Sequence, residues 1–468
     1  MKKQNKSNAL PIDIRAPRST LRAGRAVTLL IFCFLAGMIY LAYVLITESS
    51  MYMAKSGRTT YGIVSDRKGD ILFDGTKPLT DYPAKQFADV GNFIGDTSGQ
   101  MSNTLVAKNL TALANYSFTA GKSGQASIQT TLSHAANQAV FNAFGGKNGT
   151  VIACNWKTGE LLVCMSKPCV NIAEGYKNLA SMPSGSLLCK AFYPTVPGST
   201  QKISTLIAAY EALGVNKVND MEFDCTGSWL NAKHQKITCH KAEGHGTQTL
   251  SQAFANSCNP YFAQLVQSDA LQLSKIIETY TKMGYAVNEQ TAKSYSLNGI
   301  SIAPASTKLT SKDDFDTQWG CLGQGETLIS PYQLMLFETA IANGTGCGVL
   351  PYVIDTETDV SGNIKICRKY QQTSQLFSAK AAKAVQSVMT ENAKNNYGSL
   401  AQFHCGVKSG TAQVNENGKA YENSLLAGFC LDDNCPVAFC IMIENRVSGE
   451  VSTAQIANTL LNALSGLK

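Results

Sequence analysis

The sequence predicts an α+β fold: an antiparallel sheet flanked by helices, preceded by a small pedestal domain and one transmembrane helix. Three observations predict it. An uncharged apolar run, AVTLLIFCFLAGMIYLAYVLI, fills residues 26–46. Segments rich in β-formers stand at both ends of the region 149–468, and segments with helical periodicity lie between them. Strands drawn from the two ends of one domain with helices in the middle suit a sheet assembled across the whole domain.

The apolar run comes first. At about 1.5 Å per residue it would reach roughly 31 Å, the thickness of a bilayer's hydrocarbon core. Lys2, Lys3, Lys6, Arg15, Arg18, Arg22 and Arg25 precede it, against the single acid Asp13. That bias predicts a cytoplasmic basic tail (1–25), an uncleaved anchor (26–46) and export of all that follows. A cleaved signal would carry an apolar stretch of only roughly 7–15 residues. The expected location is therefore the cell membrane, single-pass, with the folded part extracytoplasmic. The tail holds most of the net charge of +7. Residues 26–468 are thus close to neutral, which disfavours a nucleic-acid partner, since such proteins spread basic residues over the folded body.

Residues 47–148 read as a small α+β pedestal with helical stretches near 101–115 and 132–144, and Gly145-Gly146-Lys147-Asn148 marks a break. Residues 149–468 form the larger domain. Its opening, TVIACNWKTGELLVCMS, is two β-rich runs around a polar turn, a hairpin signal. From Ser199 to Leu213, apolar Ile203, Leu206, Ile207, Tyr210 and Leu213 recur at helical spacing after Pro197-Gly198. Further helices are expected at 248–266, 270–283, 330–343 and 378–392. Strands follow at 404–414, 424–431 and 436–445, and a helix at 452–464 closes the chain.

Three short motifs could carry chemistry. Ser199-Thr200-Gln201-Lys202 puts a lysine one helical turn from a serine at a helix start. A serine hydroxyl becomes a nucleophile when a neighbour takes its proton, and a lysine can do so once burial or a nearby cation makes it neutral. Ser65/Lys68 and Ser465/Lys468 repeat the spacing without opening an apolar helix, and a helix-capping serine is the ordinary reading of Ser199. Ser257-Cys258-Asn259 offers a hydroxyl and an amide two residues apart, where Pro260 disfavours helix at Asn259; the bland reading is a loop. Lys408-Ser409-Gly410-Thr411 lies in a predicted strand, where a lysine could meet a carboxylate and Gly410 would allow close backbone approach. Each motif alone is weak and has decoys in the chain. Their order, and the helix-start, loop and strand contexts in which they sit, are not.

With these motifs in place the chain resembles the class B penicillin-binding proteins, single-span peptidoglycan transpeptidases, and among them the shorter penicillin-binding protein 2-like group. The resemblance extends to GIVSDRKGDIL (62–72), KTGELLVCMSKP (157–168), EGHG with ANSCNPYFAQL (243–265), Gly323-Gln324-Gly325 and AGFCLDDNCPVAFCIMIEN (427–445). Tyr61, Leu425-Leu426 and PTVPGST depart from the usual pattern. The resemblance implies Ser199 as the acylated nucleophile and Lys202 as its base. It implies Ser257 and Asn259 in proton relay and amide binding, and Lys408, Ser409, Gly410 and Thr411 around the substrate carboxylate. Backbone N–H groups of Ser199 and Thr411 would form an oxyanion hole. Peptidoglycan stem peptides ending in D-Ala-D-Ala, and the β-lactams that mimic them, would be the substrate and the inhibitors. A polytopic glycan polymerase would be the membrane partner. No cofactor is expected.

Other readings stay open at this stage. A catalytically silent scaffold is one, and a D,D-carboxypeptidase or β-lactamase using water as acceptor is another. A β-lactam sensor and a thiol hydrolase built on Cys258 or Cys405 with His404 or His245 are weaker. The 15 cysteines include pairs such as Cys225/Cys239, Cys347/Cys367 and Cys430/Cys435 that could be disulfides after export. Cys225, Cys239, His240 and His245 lack the tight pairs of a zinc motif, so no metal is expected.

Overall fold

A computed structural model describes residues 18–81, 87–172, 175–176, 179–416 and 419–467. Most of the basic tail lies outside the described residues. The helix Arg18–Thr47 contains the apolar run, and its stretch Arg22–Thr47 is long and apolar enough to cross a membrane, with none of it buried by the rest of the chain.

The larger sheet has five strands, all antiparallel, in the order Cys405–Glu416, Lys419–Cys430, Val437–Ile443, Gly149–Asn155, Leu161–Lys167. The register pairs Lys408 with Ala427 and Ile441 with Val151, so the N-terminal hairpin is joined to the C-terminal strands. Successive side chains point to opposite faces. Ile152, Ala427, Phe429 and Cys440 belong to one core, which includes the helices Lys202–Leu213 and Pro331–Ala342. Val151, Leu426, Phe439 and Ile441 belong to the other, with His134–Ala143 and Thr453–Leu464. Burial on both faces explains why Val437–Ile443 is apolar throughout rather than alternating.

Several segments differ in detail from expectation. The stretch 101–115 is two single turns, Leu105–Lys108 and Leu110–Leu113, rather than one helix. Asn109 breaks it: its side chain donates to the Leu105 carbonyl at 2.8 Å and so takes over a bond the helix would have used. The stretch 248–266 divides into Leu250–Ala255 and Asn259–Gln267. Asn259 is helical, contrary to the expectation drawn from Pro260. That proline sits in the first helical turn, where its missing N–H has no bond to lose, and the break falls at Ser257 instead.

A second five-stranded sheet runs Ile364–Ile366, Ile354–Thr358, Ser127–Thr130, Ile63–Ser65, Ile71–Asp74. Its strands come from both sides of Asn148: Ile354–Thr358 pairs with Ser127–Thr130. The turn in SDRKGDIL is held by Asp66, whose carboxylate accepts from the backbone N–H groups of Lys68, Asp70 and His134. That Ser-x-x-Lys match is therefore a structural turn.

Candidate active site

A tight 3-10 turn, Gly198–Gln201, precedes the helix Lys202–Leu213. Ser199 sits on the turn and Lys202 begins the helix, one turn along. Lys202 is fully buried, and its Nζ lies 3.0 Å from Ser199 Oγ, 2.7 Å from the Ser257 carbonyl and 2.8 Å from Asn259 Oδ1. Asn259 Nδ2 donates to the Thr238 carbonyl at 3.1 Å, which fixes the amide so that its oxygen faces the lysine.

Burial and the Lys408 charge push Lys202 well below the usual lysine range. Losing the proton at neutral pH costs about 5 kcal/mol against an ordinary lysine, on the order of the several kcal/mol for burying a lone charge. A neutral amine has two N–H groups and one lone pair. The Ser257 carbonyl and Asn259 Oδ1 can only accept, so they claim the two N–H groups. The lone pair is left for the Ser199 hydroxyl proton.

Ser257 has a backbone φ of 50°, in the left-handed region that a side chain rarely adopts. This turns its hydroxyl toward both lysines: Oγ lies 3.3 Å from Lys202 Nζ and 3.0 Å from Lys408 Nζ. Lys408 is buried, and burial brings it down to about 7.

Lys408 lies on the strand Cys405–Glu416, an edge of the larger sheet. Alternation along the strand directs Lys408 and Gly410 to the side of Ser199. A Cβ on Gly410 would stand 2.6 Å from the Pro197 carbonyl oxygen and 2.9 Å from the Thr200 nitrogen, so only glycine lets the strand lie against the Ser199 turn. Ser409 points the other way and hydrogen-bonds Tyr397. Thr411 is exposed, and its carbonyl accepts from Gln324 Nε2 at 3.3 Å.

All eight residues singled out in the sequence thus meet at one place. Ser199, Ser257, Asn259, Ser409 and Thr411 line a cleft of ≈ 730 Å³, with Lys202, Lys408 and Gly410 behind them. The cleft has further walls that sequence reasoning missed, among them His240, Trp319 and Leu322. No local pattern marks these three; they reach the cleft only through the packing of distant loops. The thiol alternatives do not assemble a nucleophile. Cys258 and Cys405 are buried, and each thiol is pushed up, Cys258 by burial and Cys405 by its Cys430 hydrogen bond and burial.

The family described as the penicillin binding protein transpeptidase domain matches residues 149–462, well over half of the chain. This chain belongs to that family. Stage V sporulation protein D of Bacillus subtilis is 28% identical over 330 residues, which are 68% of this chain and 49% of that protein. The chain therefore spans about half the length of that relative. Peptidoglycan D,D-transpeptidase PbpA of Mycobacterium tuberculosis is 24% identical over 366 residues, 72% of each chain. Among solved structures, the D,D-transpeptidase domain of an Eggerthella lenta peptidoglycan glycosyltransferase superposes with a TM-score of 0.71 at 22% identity, covering 87% of this chain and 98% of that one. Penicillin-binding protein A from M. tuberculosis, solved as a ceftriaxone acyl-enzyme, gives 0.72 at 18% identity with the same coverage. Both solved structures share the α+β fold found here.

Proposed function

We propose that this chain is a membrane-anchored serine D,D-transpeptidase that cross-links peptidoglycan stem peptides and is acylated by β-lactams. One observation carries the reading: a buried lysine, its pKa pushed well below the usual lysine range by burial, stands 3.0 Å from a serine hydroxyl at the edge of an open cleft.

In this mechanism Lys202 Nζ takes the Ser199 proton as Oγ attacks the carbonyl of the penultimate D-Ala. Backbone N–H groups of Ser199 and Thr411 receive the developing oxyanion. The C–N bond breaks, the departing D-Ala amine takes a proton through Ser257, and Ser199 is left as an ester. An amine of a neighbouring strand then attacks that ester. The proton it sheds returns to Ser199 Oγ. Lys408, protonated, would hold the terminal carboxylate with Thr411, and the unpaired edge of Cys405–Glu416 would let the peptide lie alongside as an added strand. Asn259 would hold the substrate amide, and Ser409, bound to Tyr397, would fix the strand.

The charge bias of the tail supports a cytoplasmic N-terminus with the catalytic part outside. On this reading 1–25 is the tail, 26–46 the anchor, 47–148 the pedestal and 149–468 the transpeptidase domain, and a polytopic glycan polymerase is the membrane partner.

The test is labelling of the detergent-solubilised full chain with fluorescent penicillin, followed by intact mass and by reaction with a D-Ala-D-Ala donor plus an amine acceptor. One stable adduct, lost in Ser199→Ala, together with a cross-linked product, is expected. Release of D-Ala with water alone as acceptor would make it a carboxypeptidase, and rapid drug turnover a β-lactamase. A folded chain that takes no label would be a scaffold.

A further inference from the structure

The cleft does not end at Thr411. A second cavity, of ≈ 600 Å³, opens beside it, and Gln413 and Glu422 line both. These two stand directly opposite each other on paired strands, Gln413 on Cys405–Glu416 and Glu422 on Lys419–Cys430, so their side chains share a face. Arg446 lines the second cavity further out.

Glu422 and Arg446 are backbone neighbours, for the Arg446 N–H donates to the Glu422 carbonyl at 3.0 Å. Their side chains stay apart. Among the described residues, neither the Glu422 carboxylate nor the Arg446 guanidinium makes an ion pair. Arg446 is held instead by carbonyls: Nε donates to Val451 at 3.0 Å and Nη2 to Glu450 at 3.5 Å. The loop that carries it is tied down in turn. Lys147 Nζ lies 2.6 Å from a Glu450 carboxylate oxygen, and that oxygen accepts from the Val447 N–H at 2.8 Å. The cavity thus carries one carboxylate and one guanidinium on a fixed frame, and each charge is left to meet a ligand.

The direction of the donor peptide brings this cavity into the reaction. On the proposed function, on which this inference rests, Lys408 and Thr411 hold the terminal carboxylate. The Thr411 N–H receives the oxygen of the penultimate carbonyl. A peptide laid along the free edge of Cys405–Glu416 then has its C-terminus at Lys408 and its earlier residues beyond Thr411. Gln413 lies two residues on, roughly 7 Å along the strand, level with the residue before the penultimate D-Ala. Glu422 is on the next strand in, so a ligand side chain must cross two strand spacings, roughly 10 Å, to meet it. A stem of roughly four methylenes, as long as a lysine's, covers that span together with the length of Glu422 itself, and a methyl does not.

We propose that the second cavity is the subsite for the stem-peptide residue immediately before D-Ala-D-Ala, and that it selects a long side chain ending in an ammonium and a carboxylate on one carbon, with Glu422 receiving the ammonium and Arg446 the carboxylate.

A dipolar group suits this frame better than a single charge. An ammonium alone would satisfy Glu422 and leave Arg446 facing a like charge, whereas a carboxylate alone would do the reverse. An arginine also offers a planar fork that matches a carboxylate. Both residues touch the ligand far from the scissile bond, so they act as specificity residues and take no part in the chemistry at Ser199.

The experiment uses the full chain in detergent with fluorescent penicillin. Four Nα-acetylated tripeptides, X-D-Ala-D-Ala, compete for the cleft, and the concentration that halves the labelling rate is read for each. X is meso-diaminopimelate, the same residue with its distal carboxylate amidated, L-lysine, or Nε-acetyl-L-lysine. The diaminopimelate peptide should protect best. Its carboxamide and the lysine peptide should each need about fivefold more, and the acetyl-lysine peptide about fivefold more again, as expected for partly exposed ion pairs. About 0.5 M salt should narrow every gap. Glu422→Gln should erase the gap between lysine and acetyl-lysine, and Arg446→Gln the gap between diaminopimelate and its carboxamide, while Asp433→Asn should keep both. Should Arg446→Gln loosen its loop, the four peptides on the unmodified chain decide alone. Equal protection by all four, or protection by none, would overturn the subsite while penicillin labelling keeps the proposed function. A preference for lysine over acetyl-lysine that survives in Glu422→Gln would overturn the assignment to Glu422. A folded, unmodified chain that takes no penicillin would sink the proposed function and the subsite with it.

Discussion

Lys202 and Lys408 meet on a single hydroxyl: Ser257 Oγ lies 3.3 Å from the Nζ of the first and 3.0 Å from the Nζ of the second. Two buried lysines sharing one hydroxyl cannot both keep a proton at low cost. The Lys408 charge is a cause of the low Lys202 value, whereas Lys408 is lowered by burial alone. On the proposed mechanism this favours Lys202 as the base and Lys408 as the charged partner.

Replacing Lys202 by Met should lower the rate of penicillin acylation by about 10³ or more, since the serine loses its proton acceptor. The fold should not suffer. Removing a buried amine that burial disfavours as a charge takes away a desolvation penalty, so the melting temperature should hold or rise. A fall of many degrees with the activity loss would show that Lys202 is structural.

The pH profile follows from Lys408. On the proposed mechanism its charge holds the substrate carboxylate, and in the free protein that charge is lost as pH rises through about 7. Acylation at limiting drug concentration should therefore decline on the alkaline side with an apparent pKa near that value. Stability should move the opposite way. The folded value lies below the roughly 10.4 of a free lysine, so the unfolded chain binds more protons between the two. Stability rises with pH across that window. Lys408→Met should abolish the alkaline limb of acylation and lessen the rise in stability, part of which Lys202 retains because it too is shifted down. Acylation measured over a pH series, alongside thermal melts, checks the pair, and an alkaline limb that survives in Lys408→Met would refute the assignment.

Ser257→Gly should stabilise the fold by roughly 1 kcal/mol, because glycine adopts φ 50° freely where serine is strained. The same change removes the hydroxyl between the lysines and should slow acylation by about 10². Ser257→Ala should lose the activity without the stabilisation. Equal activity in the three forms would remove Ser257 from proton relay.

Gly410→Ala should cost both stability and activity. The added methyl meets the Pro197 carbonyl at 2.6 Å, and backbone cannot yield as a side chain would. About 1–3 kcal/mol of overpacking is expected, with the strand pushed off the Ser199 turn. Denaturant melts and labelling rates would show the two losses together.

The candidate site was legible because each motif's chemistry dictates a local setting. Ser199 opens an apolar helix and Lys408 lies in a strand of β-formers, while Pro260 opens a helix just after the break at Ser257. What could not be read were non-local facts. Nothing in the IDTET of 354–358 announces pairing with Ser127–Thr130, because the strand is short and half-exposed. Asn109 looks like any helix residue until its side chain competes for the Leu105 carbonyl. Cys258 stood within a motif already assigned to the cleft, and only the fold brings it to Cys225 and His245.

The strand Ile354–Thr358 also sets a timetable. Ser127–Thr130 leaves the ribosome roughly 220 residues before its partner, on the order of 10–40 s at ordinary synthesis rates. For that interval this sheet has an open edge. The first sheet to be started is among the last to be closed, so nascent chains halted before residue 354 should be protease-sensitive around residues 63–130.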